Sequence, residues 1–261
     1  SGLPAAEVGP KPSVASVGGI AGSQVTDWRH DVRTSNATLD VDDPFDVVSI
    51  KYSTEGAATD PILVTTMKVS DLAVLPPNGT WRVNFTVNAP DAGLSPTGDY
   101  NLGLSDRGDQ FFLRAQTDLT GATSFVYGTA ARRHFVAGGG GGFDYTDRGA
   151  ASGSFDTNAD TITIKIPLAT LNAALPAGHA PIGPGSIFSG LRGSAFTAVQ
   201  GNNGRSDNTR GGTVFRINSA PIAALTATPT SGTKPLAVTF DASGSSDPDA
   251  GDSIVSYKFN F

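Results

Sequence analysis

Residues 80–88, Thr-Trp-Arg-Val-Asn-Phe-Thr-Val-Asn, alternate strictly between apolar and polar side chains. Trp81, Val83, Phe85 and Val87 fall on one side, and Arg82, Asn84 and Thr86 on the other. A period of two is the signature of a strand with one face in a core and one toward water. Residues 160–166 repeat it, with Ile162, Ile164 and Ile166 inward. Such one-sided alternation belongs to antiparallel sheets that are half solvated.

The composition points the same way. Of 261 residues 38% are hydrophobic and only 16% charged, with 14 Phe, so the chain can bury a core. The 32 Gly and 17 Pro favour many short strands joined by turns, and an all-β chain is expected. Cysteine is absent, which excludes a disulfide framework, a thiolate metal site and a Cys nucleophile. A net charge of -6 and a pI near 4.9 provide no footprint for nucleic acid and disfavour anionic partners generally. No apolar run approaches the ~20 residues that span a bilayer, so no membrane insertion is expected. The opening Ser1-Gly-Leu-Pro-Ala-Ala-Glu7 lacks the basic and apolar regions of a signal peptide, and a mature or excised product is expected to begin there.

Three segments are expected. Residues 1–24, nearly uncharged and rich in Pro, Gly, Ala and Ser, read as an extended linker or an arm on another surface. Residues 25–218 read as a jelly-roll-like two-sheet β-sandwich of about ten strands. Strands are expected at 45–52, 62–69, 80–88, 100–104, 110–115, 124–127, 134–137, 188–199 and 213–217. The Asx-rich run 156–160 should turn a hairpin between 152–155 and 161–166, and a short helix should follow Pro167 over 168–175. Residues 219–261 form the third segment.

That last segment carries the most specific resemblance. Pro235-Leu-Ala-Val-Thr-Phe-Asp-Ala-Ser-Gly-Ser-Ser-Asp-Pro-Asp249, followed by Ile254-Val-Ser-Tyr-Lys-Phe-Asn-Phe261, resembles the N-terminal half of a polycystic kidney disease (PKD) type, immunoglobulin-like domain. The usual Gly-Asp-Gly continuation is missing. The resemblance implies a partial Ig-like sandwich with open edges, completed by chain outside the fragment or by strands from another chain. It also implies an extracellular, secreted or cell-surface location, of bacterial type. In residues 25–217, the order of acidic loop, strand, long meander, Gly-Ser-Phe-Asp hairpin and Ile-Pro-Leu-Ala-Thr-Leu turn resembles the accessory sandwiches of secreted bacterial subtilisin-like proteases. Those are similar in turn to carbohydrate-binding family 9 and DOMON domains.

Oxygen-rich loops are the first candidates for chemistry, because calcium takes six to eight oxygen ligands. Asp247, Asp249 and Asp252 lie within six residues, and the PKD resemblance implies a calcium site there; a solvated turn explains the same residues. In the second cluster, Asp40, Asp42 and Asp43 are spaced to surround a structural calcium ion, while Asp46 begins a strand; a plain acidic loop is the alternative. Aromatic residues in loop-like sequence, Trp28 and Tyr145, are candidate platforms for sugar stacking, whereas Trp81 is in phase with the core. Only His30, His134 and His179 are available as bases, and neither a Gly-x-Ser-x-Gly elbow nor a His-Glu-x-x-His motif occurs, so catalysis within this chain is not expected.

The expectation is a non-catalytic extracellular binding or adhesion module of a larger protein, with calcium as a structural ion and a polysaccharide or protein surface as its partner. One alternative is a structural subunit of an extracellular assembly or filament, pairing with copies of itself through the N-terminal arm and the incomplete C-terminal domain. Another is an accessory region of a secreted protease or glycosidase.

Overall fold

A computed structural model describes residues 13–34, 38–39, 41–57, 59–87, 109–132, 143–197, 204–209, 212–249 and 253–260. The chain divides into two compact units, Ser1–Arg216 and Ile217–Phe261. Strands β1 (Val25–Thr26), β2 (Val32–Arg33), β3 (Thr38–Leu39), β4 (Val47–Ala57), β5 (Asp60–Val69) and β6 (Gly79–Val87) open the first unit. They are followed by β7 (Asp109–Thr117), β8 (Thr123–Arg132), β9 (Phe143–Ala150), β10 (Ser152–Asp156), β11 (Thr161–Pro167) and helix α1 (Leu168–Ala173). Strands β12 (Ile187–Thr197), β13 (Ser206–Asn208) and β14 (Phe215–Arg216) complete it, and β15 (Thr226–Thr228) and β16 (Thr239–Asp241) belong to the second unit.

The first unit is an all-β sandwich. A five-stranded sheet runs β1-β4-β5-β11-β10, and a nine-stranded sheet runs β3-β2-β13-β12-β6-β7-β8-β9 with β14 also on β12. All the pairings are antiparallel. The alternation in β6 and β11 is realised directly: Trp81, Val83, Phe85 and Val87 are buried, as are Ile162, Ile164 and Ile166. Trp81 is the largest of these side chains and is fully enclosed. Its ring stacks on Phe45 at 5.4 Å, meets Phe155 edge-on at 5.3 Å, and its Nε1 donates to the Pro44 carbonyl at 2.6 Å. A buried Trp keeps its N–H satisfied in this way.

Several expected elements are present, among them the β10–β11 hairpin and the helix after Pro167. The expected strands at 100–104 and 134–137 lie outside the described residues. One correction concerns β9, where Tyr145 sits on a strand and not in a loop. Its sequence, Phe-Asp-Tyr-Thr-Asp-Arg-Gly-Ala, lacks apolar alternation because β9 is the edge of its sheet and its described side chains are largely exposed. A second correction concerns the N-terminal segment, of which residues 13–24 are turned back and not extended. Gly18 and Gly22 take φ of 70° and 76°, which bends the chain onto β4. There the Ile20 N–H donates to Ser49 Oγ at 3.0 Å, and Gln24 Oε1 accepts from the Tyr52 N–H at 2.7 Å.

In the second unit β15 pairs with β16, and an isolated bridge joins Ile222 to Ser246. Residues 253–260 form no strand. Ile222, Leu225, Tyr257 and Phe259 are all exposed and line an apolar cleft of about 280 Å³.

The Trp81 packing yields a stability prediction. Trp81→Ala should cost about 3–5 kcal/mol, the usual range for an emptied aromatic core site, seen as a lower urea midpoint. Leu119→Ala, at an 80% exposed position, should stay within about 0.5 kcal/mol of the parent.

Candidate metal centre

The chain passes from the five-stranded sheet to the nine-stranded one within five residues. Thr26 ends β1, which pairs with β4, and Val32 begins β2, which pairs with β13. Asp27 and Asp31 flank this crossing. His30, between them, takes a φ of 68°, and its N–H donates to Asp46 Oδ2 at 2.8 Å. Asp207 arrives from β13. Its register partner on β12 is the fully buried Ala195, so Asp207 faces inward as well.

Carboxylate oxygens of Asp27, Asp31 and Asp207 lie within 4.8 Å of one another. Asp27 and Asp207 are buried, and Asp31 is half-buried. Asp207 also bridges the sheets, since its Oδ2 accepts from the Val47 N–H of β4 at 2.8 Å. Burial, and after it the negative charges of Asp27, Asp31 and Asp46, push the Asp207 carboxyl well above its ordinary range. Burial likewise raises Asp43 and Asp46. Asp46 is fully enclosed, and its Oδ1 has no hydrogen-bond partner among the described residues. Clustered carboxylates of this kind suit a hard divalent cation, which takes oxygen ligands and relieves their mutual repulsion.

The described acids singled out from sequence take other partners. Asp42 is ion-paired at the surface: its Oδ1 accepts from Arg29 Nε at 2.9 Å and meets His30 Nε2 at 2.8 Å. The hydrogen bond between them, foremost, lowers the pKa of Asp42 and raises that of His30. Asp43 is buried, with Oδ2 2.6 Å from Arg205 and Oδ1 accepting from the Phe45 N–H at 2.9 Å. Asp40 lies outside the described residues, and Asp42 and Asp43 turn to different arginines, Arg29 and Arg205. In the second unit Asp247 Oδ1 accepts from the Asp249 N–H at 2.9 Å, and Asp249 accepts from the Ser219 N–H and from Ser219 Oγ. Asp252 lies outside the described residues. Trp28 is half-buried in the crossing loop, its N–H bonded to Asp27 Oδ1 at 2.9 Å. Tyr145 is half-buried on β9, 3.7 Å beneath the guanidinium of Arg82.

Asp27 and Asp31 stand in the acid-rich stretch that precedes β4, but Asp207 carries no local signal. It lies 160 residues from Val47, to which it is hydrogen-bonded. A polar residue at an inward strand position would have been the clue, had β13 been recognised. No family model, curated protein or solved structure matches this chain.

The raised Asp207 pKa fixes the sign of a pH effect. The folded state holds this proton more tightly than the unfolded chain. Its contribution to stability is therefore full below the ordinary value of 3.8 and is lost as pH rises through the folded-state pKa. In chelator, melting temperature should rise as pH is lowered from neutral toward that value. Asp207→Asn should flatten this rise and melt higher than the parent at neutral pH, both readable by calorimetry.

Proposed function

We propose that the first unit is a non-catalytic extracellular binding module whose two sheets are stapled by a calcium ion at Asp27, Asp31 and Asp207. The second unit is read as a PKD-like spacer. The observation that carries the calcium assignment is the meeting of three carboxylates at the crossing between sheets, one of them inward-facing. Without a cation these charges oppose one another in a site of low dielectric. A bound ion would hold β1, β2 and β13 together, fixing the rim of the sandwich without entering any reaction.

Calcium should raise the melting temperature by mass action. At a free concentration about 100 times Kd the gain is about 2.7 kcal/mol, or roughly 5–10 °C for a unit of this size. Excess EGTA should reverse it, and Asp207→Asn should abolish it. An unchanged melting temperature in calcium and in EGTA would remove the calcium assignment. The binding reading itself is tested by retention on a panel of insoluble polysaccharides and cell-wall preparations.

A second reading, a structural subunit of an extracellular assembly, is favoured by the apolar cleft of the second unit. Its exposed Ile222, Tyr257 and Phe259 form a surface that association would bury. Concentration-dependent growth in light scattering supports that reading, and a strictly monomeric protein opposes it.

A further inference from the structure

The crossing between the sheets holds a fourth aspartate with an oxygen that the fold itself does not use. Asp46 is fully enclosed, and its Oδ1 has no hydrogen-bond partner among the described residues. Its other oxygen, Oδ2, accepts from the His30 N–H at 2.8 Å. The Asp31 N–H and the Ser70 hydroxyl also approach this carboxylate, without satisfying Oδ1. A buried carboxylate oxygen left without a donor is costly, and an ion or an ordered water is the usual remedy.

Asp46 is tied to the cluster from both sides. His30, from which it accepts, directly precedes Asp31. Val47, which directly follows it, donates to Asp207 Oδ2 at 2.8 Å. Behind burial and the charges of Asp27 and Asp31, that of Asp46 also raises the Asp207 pKa, which places it within electrostatic reach. Yet Asp46 does not belong to the group whose oxygens lie within 4.8 Å of one another. It stands behind Asp27, Asp31 and Asp207, one step removed from an ion that those three would share. Calcium takes roughly six to eight oxygen ligands. Asp27 Oδ1 already accepts from the Trp28 N–H and Asp207 Oδ2 from the Val47 N–H, so the three carboxylates fall short of that number. Water completes the shell of calcium in such sites, and a water polarised by the ion is a stronger donor than bulk water. It needs an acceptor, and Asp46 Oδ1 needs a donor. The crossing loop also borders solvent: Arg29 is exposed and Trp28, His30 and Asp31 are half-buried, which gives the ion and its water a way in.

We propose that Asp46 is a positioning residue of the ion site, its Oδ1 accepting a hydrogen bond from a water molecule that ligates the ion held by Asp27, Asp31 and Asp207. The same side chain couples the ion to the backbone, since its Oδ2 holds the His30 turn that delivers Asp31. Outer partners of this kind orient the ligands of an ion and tune its affinity. The inference deepens the calcium assignment and rests on it.

The test uses the whole chain and terbium(III), which takes oxygen ligands as calcium does and whose emission is excited through a nearby indole. Trp28, bonded to Asp27 through its backbone N–H, is placed to supply that indole. Competition by calcium gives the calcium affinity. Emission lifetimes in H2O and in D2O give the number of waters on the ion, because O–H bonds quench terbium and O–D bonds do not. Emission should be lost in Asp207→Asn, which places the ion at the cluster, and the ion on the parent protein should carry water. Asp46→Asn retains an oxygen for the His30 N–H but turns an amide donor toward the water. It should hold calcium about 10–100-fold more weakly, carry one water fewer on terbium, and melt no lower than the parent in EGTA. A parent ion without water overturns the proposal whether or not the variant folds. Unchanged calcium affinity in Asp46→Asn overturns it too, as does a water count that stays or rises, a rise marking Asp46 as a direct ligand. In each of those cases the ion still binds and the calcium assignment stands. Absence of terbium and calcium binding, or emission that survives in Asp207→Asn, would remove that assignment and the proposal with it.

Discussion

The crossing between the two sheets is where the architecture is decided. Five residues separate β1 from β2, and in that distance the chain must leave one layer and join the other. The turn is made at His30, in a left-handed backbone conformation that a non-glycine residue adopts only when its surroundings hold it there. What holds it is a carboxylate: Asp46 Oδ2 accepts the His30 N–H, and the Asp46 main chain accepts from Ser70 at the end of β5. Asp207 repeats the device from the opposite layer by accepting from Val47. Acidic side chains thus accept from backbone N–H groups where the chain leaves one sheet for the other.

That solution brings its own electrostatic cost. Each carboxylate that accepts from a backbone N–H is stabilised as an anion, but four aspartates converge in a space from which water is largely excluded. The desolvation of Asp207 outweighs the single hydrogen bond it receives, which is why its proton is held so firmly. Asp43, at the same rim, is also raised by burial but has a cationic partner that opposes the shift. It too is buried, yet Arg205 lies 2.6 Å from it, and the resulting pair is neutral overall. The difference between a paired acid and a clustered one separates a structural contact from a candidate ion site here.

The core of the sandwich was legible because its signal is local. Alternation at Trp81, Val83, Phe85 and Val87 and at Ile162, Ile164 and Ile166 states both the strand and its buried face without reference to anything distant. The hairpin at 156–160 was legible for the same reason, as Asp156 Oδ1 accepts from the N–H groups of Asn158 and Ala159 within its own turn. The acid cluster was not. Asp40, Asp42 and Asp43 are adjacent in sequence, but Asp42 and Asp43 diverge in space toward Arg29 and Arg205, while Asp207 reaches Asp27 and Asp31 only through the pairing of β13 with β2. Proximity along the chain is a poor guide to ligand sets in a sandwich, where neighbours are supplied by strand order. Tyr145 was legible as a residue of interest and misplaced as to element, because an edge strand needs no apolar alternation to form.

Strand parity also explains how one sheet carries two opposite charges. On β12 and β13, Ala195 and Asp207 face inward while Arg192, Ser194 and Asn208 face outward, so the acidic cluster and the arginine face lie on opposite sides of the same strands. Separation by the sheet keeps the carboxylates from neutralising the arginines, although both sets would gain if they met. Within each set one side chain is buried among like charges, Asp207 beside Asp27, Asp31 and Asp46 and Arg82 beside Arg114 and Arg192, and each is held by a backbone hydrogen bond or stacked rings. A sequence selected for stability alone would place Leu or Val at 207 and Met at 82. Aspartate at 207 makes sense if a cation from outside the chain lies between the sheets.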